Sequence, residues 1–129
     1  MRKAFLFGAS VVIAANGLAA CQPGRDAEGR EAIAMTDGDP TRGQVMMRTY
    51  GCETCHVIPG VHGGEARVGP SLAGIASRTY IAGVVTNTPS NMMKWLRDPP
   101  AVDSQTAMPN VGVTPADARH LAAYLYTLR

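Results

Sequence analysis

The pentapeptide Cys52-Glu53-Thr54-Cys55-His56 constrains this chain more than any other feature. Two thiols three residues apart, with a histidine after the second, form the C-x-x-C-H pattern through which c-type haem is attached. The spacing has a physical reason. Both sulfurs can reach the two vinyl groups of one porphyrin, and the adjacent imidazole then falls under the iron as an axial ligand. A chain so committed has to fold around a rigid, covalently bound disc. Three other readings use the same residues. A redox-active thiol pair belongs in a thioredoxin-like βαβ setting, which the sequence lacks. A structural zinc site needs four ligands, and there is no second Cys/His pair. A disulfide between Cys52 and Cys55 leaves His56 without a role.

The start of the chain supports attachment of haem, which occurs outside the cytoplasm. Arg2 and Lys3 precede AFLFGASVVIAANGLAA, and that run ends at Cys21. A positive tip, a short apolar stretch and small residues at its end describe a secretory signal peptide over residues 1–20. Gly8, Ser10, Asn16 and Gly17 interrupt the run, so it makes a poor membrane span. Leu18-Ala19-Ala20-Cys21 resembles the lipobox of bacterial lipoproteins. That resemblance implies a diacylated Cys21 that becomes an acylated N-terminus after cleavage. Each buried methylene contributes about 0.8 kcal/mol, so two or three acyl chains hold stably where one does not. The expected location is a bacterial membrane, with the domain facing the periplasm or the cell exterior. Gln22, in place of the Asp that retains many lipoproteins in the inner membrane, favours the outer one where the organism has it.

Removing residues 1–20 takes away Arg2, Lys3 and both phenylalanines, Phe5 and Phe7. Ten basic residues then face ten acidic ones, and the aromatic inventory is Trp95 with Tyr50, Tyr80, Tyr124 and Tyr126. That is thin material for a core of this size, and a haem would fill the middle. Formal neutrality excludes a strongly basic nucleic-acid binder. The mean hydropathy near zero, with 14 Gly and 9 Pro, argues against a coiled coil, a repeat array and a polytopic membrane protein.

Candidates for a sixth iron ligand are His62, His120, Met35, Met46, Met47, Met92, Met93 and Met108. Met108, followed by Pro109, lies in the turn-rich stretch from Ser104 to Gly112. Such a loop can lay a thioether over the far side of a haem, and Met108 is the choice. Met46, Met47, Met92 and Met93 read as helix or core residues. His62 lies in a Gly-rich loop close to His56, and His120 reads as a surface or edge residue of the last helix.

Residues 21–38 carry Gly, Pro and charge with little periodicity, and are expected to form a lipid-anchored flexible tether. The domain then spans 39–129. A first helix is expected from Asp39-Pro40-Thr41 to Tyr50, ended by Gly51. Ser71 to Ser77 reads as a short helical turn. Thr88-Pro89 opens another helix, stopped by Asp98-Pro99-Pro100. Thr114-Pro115-Ala116-Asp117 reads as a capping box, and Leu121, Tyr124, Leu125 and Leu128 fall on one face of the helix it starts. No strand pattern stands out. The expected fold class is all-α, with three main helices and short turns wrapped around one haem.

From Asp39 onward the sequence resembles a class I cytochrome c. Gly43 and Tyr124 match the family's glycine and aromatic where the first and last helices cross. Gly69-Pro70-Ser71-Leu72 matches G-P-x-L, which implies that the Pro70 carbonyl accepts a hydrogen bond from His56. Met108-Pro109 matches the distal ligand motif. The stretches VGPSLAGIASR, NTPSNMMKWLRDPPAV and TAMPNVGV are similar to the cytochrome c domain fused to subunit II of some haem–copper oxidases. In relatives a Trp in this region bonds a haem propionate, which makes Trp95 a candidate; an apolar lid on the haem edge is its other role. The resemblance implies one covalent haem c on Cys52 and Cys55, His56/Met108 ligation, and single-electron transfer rather than enzymatic turnover. The implied partners are redox proteins of a respiratory chain: a quinol-oxidising complex or dehydrogenase, and a terminal oxidase. A fixed relay subunit of a larger complex and a haem enzyme or sensor with an open distal site are the alternatives. Lys94 is the one lysine left after the signal, so long-range steering of partners is expected to be weak.

Overall fold

The computed structural model describes residues 23–63 and 68–129; the signal segment and Cys21 lie outside the described residues. Among the described residues five helices follow one another: α1 (Pro23–Thr36), α2 (Pro40–Thr49), α3 (Pro89–Arg97), α4 (Pro99–Val102) and α5 (Pro115–Tyr126). Short 3₁₀ turns at Cys52–Thr54 and Ile75–Ser77 and a small hairpin of β1 (Tyr80–Ile81) and β2 (Val85–Thr86) lie between α2 and α3. None of the helices among the described residues is long and apolar enough to cross a membrane.

Local chemistry sets the helix starts. Asp39 accepts from the Thr41 and Arg42 amides, Thr88 from Asn91, and Thr114 from Asp117. A proline follows each of the three caps, where its missing N–H costs nothing. At α5 the box differs from the usual reciprocal form. The Asp117 carboxylate accepts from the Thr114 hydroxyl at 2.8 Å and from the Tyr50 hydroxyl at 2.6 Å. One acidic group thereby joins the end of α2 to the start of α5. These bonds hold the Asp117 carboxyl below the usual carboxylate range, the Tyr50 bond most strongly. The proline pair after α3 does stop that helix, yet Pro99 at once opens the single turn α4.

The centre of the fold is α5. Every residue from Leu121 to Tyr126 is buried, so the second half of the helix is covered all round, while Arg119 in its first half is exposed. It is packed by α1, α2 and α3 together. The α2–α5 crossing is tight: a Cβ on Gly43 would lie 1.9 Å from the His120 carbonyl oxygen. Gly38 makes a similar approach to the Arg119 carbonyl. Met47, fully covered on α2, fills the same layer.

The flexible tether expected over residues 21–38 is corrected from Pro23 onward. Helix α1 packs on α5 with Ala32 and Thr36 buried. The Thr36 hydroxyl donates to the Ala32 carbonyl at 2.6 Å, and Asp37, at φ 54°, ends the helix. Arg129 reaches Glu31 at 2.5 Å, which draws the end of the chain to this helix. The tether reading failed because α1 buries small residues, leaving no apolar stripe to see.

Candidate haem site

A cavity of about 490 Å³ opens between α2, α3, α5 and the loops that join them. The size lies within the range of pre-formed cofactor pockets. Cys52, Cys55 and His56 border it from the turn after α2, and Met108 borders it from the loop before α5. Apolar side chains such as Met47, Leu72, Met92 and Leu125 make up much of the wall.

His56 is held from two sides. Its Nδ1 lies 2.7 Å from the Pro70 carbonyl oxygen. A carbonyl can only accept, so Nδ1 carries the proton and Nε2 keeps its lone pair. That is the tautomer a metal ligand needs. Gly69 backs the ring: a Cβ there would sit 2.3 Å from His56 Cε1, so no larger residue fits without moving the imidazole. The strip carrying Pro70 is pinned on either side, Gly69 N to Cys55 O at 2.8 Å and Leu72 N to Val57 O at 2.9 Å.

The thiols of Cys52 and Cys55 are free, not joined to each other. Burial, helped by the neighbouring Glu53 charge, pushes the Cys52 thiol up to about 11. Unattached in the folded chain, it stays a protonated and weak nucleophile at neutral pH. Among the described residues no three His, Cys, Asp or Glu side chains gather, so the zinc reading finds no ligand set.

Met108 is half-buried, and its loop is shaped by its own turns. Thr106 N donates to Asp103 O at 3.1 Å, Met108 N to the Thr106 hydroxyl at 3.1 Å, and Gly112 N to Asn110 Oδ1 at 2.9 Å. Trp95 is 7% exposed on α3 and borders the cavity. Its indole N–H has no hydrogen-bond partner among the described residues. Of the other candidates, Met47 and Met92 also border the cavity as buried core residues. His62 is exposed, outside it. His120 does more than sit at an edge: it is half-buried, and its Nδ1 accepts from the Asp39 amide at 2.9 Å.

Arg78 was not singled out in the sequence. Among the described residues it is the only Asp, Glu, Lys or Arg that borders the cavity. Its guanidinium donates to the carbonyls of Ser71 and Ala73 at 2.6 and 3.1 Å. The hairpin residues Tyr80, Ile81 and Ala82 close the wall beside it. A lone arginine at the end of a turn-rich stretch carries no pattern, so only the fold reveals its place.

The donor set suits a haem. An apolar pocket would take the macrocycle, two thiols its vinyl carbons, an imidazole and a thioether its iron, and a fixed cation its carboxylates. The comparisons agree. The family model for cytochrome c matches residues 40–129. Subunit 2 of cytochrome c oxidase from Alkalihalophilus pseudofirmus is 30% identical over 89 residues, which cover 68% of this chain and 25% of that protein. The same subunit from Bacillus subtilis is 30% identical over 87 residues, covering 66% and 24%. The chain spans about a quarter of the length of these relatives.

Proposed function

The chain belongs to the cytochrome c family, and we propose that it is an exported, lipid-anchored mono-haem electron carrier, ligated by His56 and Met108, that delivers single electrons toward a terminal oxidase. Membership itself implies haem-based electron transfer. The observation that carries the finer reading is the shared cavity: both thiols, the oriented His56 and Met108 border one apolar space.

Haem c, when bound, would supply one-electron Fe(II)/Fe(III) chemistry, and Met108 as a ligand beside His56 would raise its potential. The protein's part is to hold and tune that group. Pro70 fixes the imidazole and makes it more basic. The apolar wall keeps water out and so bears on the potential. Arg78 offers a positive charge to the carboxylates of the ring, and Trp95 covers the interior with its indole N–H in reserve for a propionate.

The oxidase as acceptor is supported by the likeness to subunit 2 of cytochrome c oxidases, and a dehydrogenase or quinol-oxidising complex would be the donor. Anchoring at Cys21 rests on the sequence of the first 21 residues. A second reading, a fixed relay subunit inside a larger complex, draws on the same likeness to an oxidase subunit. Co-purification with a complex through mild detergent favours that reading, whereas recovery as a single lipidated chain favours the carrier.

The test of the site is an optical spectrum of the matured protein with and without carbon monoxide. Low-spin spectra indifferent to carbon monoxide are expected, with Met108→Ala becoming high-spin and binding the gas when reduced. A wild-type protein that already binds carbon monoxide readily would remove Met108 from the iron and turn the reading toward a haem enzyme or sensor.

A further inference from the structure

We infer that Asn87 and Tyr126 form a positioning clamp that acts through Arg78 on the Pro70 carbonyl, and so on the His56 ring. The inference rests on the reading of His56 as an axial ligand. Its evidence is a continuous set of hydrogen bonds from the last turn of α5 to the edge of the cavity.

Asn87 follows β2, and its side-chain amide is fully committed. Nδ2 donates to the carbonyls of Ile75 and Arg78, both at 2.9 Å. Oδ1 accepts from the Tyr126 hydroxyl at 2.8 Å. Two carbonyls on one side and a hydroxyl on the other fix the orientation of the amide, since a flipped group would set oxygen against oxygen. The Asn87 backbone N–H donates to Thr79 O at 2.9 Å. Tyr126 is buried in the core cluster, so the clamp is anchored to the packed core.

The other end of Arg78 leads to the site. Its main chain is held by Asn87, and its guanidinium reaches back to the carbonyls of Ser71 and Ala73. Ser71 is the residue after Pro70, whose own carbonyl takes the His56 proton. Gly69 and Leu72 anchor the strip on either side through Cys55 and Val57. The Ser71–Leu72 peptide is held at its N–H by Val57 and at its carbonyl by Arg78, and it adjoins the Pro70–Ser71 peptide whose carbonyl faces His56. The strength of the His56–Pro70 bond therefore depends on a tyrosine at the far end of the chain. A weaker bond leaves the imidazole a poorer donor to iron, which favours the reduced state.

The experiment uses the matured, reduced holoprotein and follows solvent exchange of the His56 ring N–H by NMR, beside the reduction potential and the exchange of α5 core amides. Asn87→Ala is expected to speed ring N–H exchange about tenfold relative to those amides. It should also raise the redox equilibrium constant toward the reduced form about threefold. Tyr126→Phe removes one hydroxyl from an otherwise intact core, and is expected to move both in the same direction by less. Should Asn87→Ala fail to fold or mature, Tyr126→Phe decides. Equal acceleration of ring and core amides, or unchanged ring exchange and potential in both variants, would show a merely structural contact and overturn the clamp. Wild-type protein lacking covalent haem would overturn the site reading itself, an outcome visible before any variant is made.

Discussion

At the α2–α5 crossing, backbone lies against backbone, with room at Gly43 for a hydrogen and nothing more. The haem cavity a few residues away is walled largely by turns, closed by hydrogen bonds within each loop and open toward its middle. Both regions belong to one core, and Met47 serves both. The crossing is specified by the chain's own packing, so its geometry is complete without any other molecule. The cavity is specified as a set of fixed edges around a space the chain does not fill. A core with few aromatic side chains can be divided in this way, with one part supplied by the protein and another by a cofactor.

The sharpest way to break this comparison uses two glycines. Gly43→Ala would drive a Cβ to 1.9 Å from a backbone carbonyl and is expected to cost more than roughly 3 kcal/mol, enough to prevent folding. Gly69→Ala meets an imidazole instead. It should leave a folded protein with a displaced His56 and an altered haem spectrum. Thermal unfolding followed together with visible absorption distinguishes the two, and equal loss of fold in both variants would erase the distinction between the regions.

A smaller effect is expected from Tyr126→Phe, at about 1 kcal/mol for one hydrogen bond lost. Its signature is in alkali. Burial pushes the Tyr126 hydroxyl up to about 12, while an unfolded tyrosine ionises near 10. The folded chain then holds a proton that the unfolded chain releases, so stability falls as pH rises from about 10 to 12. Chemical denaturation across that range should show a shallower fall in Tyr126→Phe than in the wild type. The smallest effect belongs to the ion pair of Arg129 and Glu31, whose side chains are 41% and 56% exposed. Arg129→Ala is expected to change stability by less than about 0.5 kcal/mol in the same assay, an effect that fades with salt.

How much of this was readable beforehand depends on the distance over which each feature is decided. The starts of α2, α3 and α5 were legible because Asp39-Pro40, Thr88-Pro89 and Thr114-Pro115 are complete local signals. The candidate site was legible at Cys52, Cys55 and His56 for the same reason. His56 and Pro70, fourteen residues apart, could be paired only through a family pattern. The helix α1 was hidden because its buried residues are an alanine and a threonine, and its stability comes from α5. The hairpin was missed because its strands have two residues each and draw on side chains: the Asn91 amide donates to Thr86 O at 2.9 Å. The Asp39 contact of His120 and the place of Arg78 escaped notice for one further reason. Their partners are main-chain groups, which leave no mark in a sequence.

The route of the chain adds a matter of timing. The cavity that buries Cys52 takes walls from Ile75 through Leu125, all later in the sequence than the thiols themselves. On a chain emerging N-terminus first, Cys52 and Cys55 are presented before those walls exist. The burial that later quiets the Cys52 thiol is then absent, and the sulfur ionises far more readily. Arrival of α5 ends that interval. The order of residues thus acts as a clock, leaving Cys52 open to chemistry early and covering it when the last helix docks.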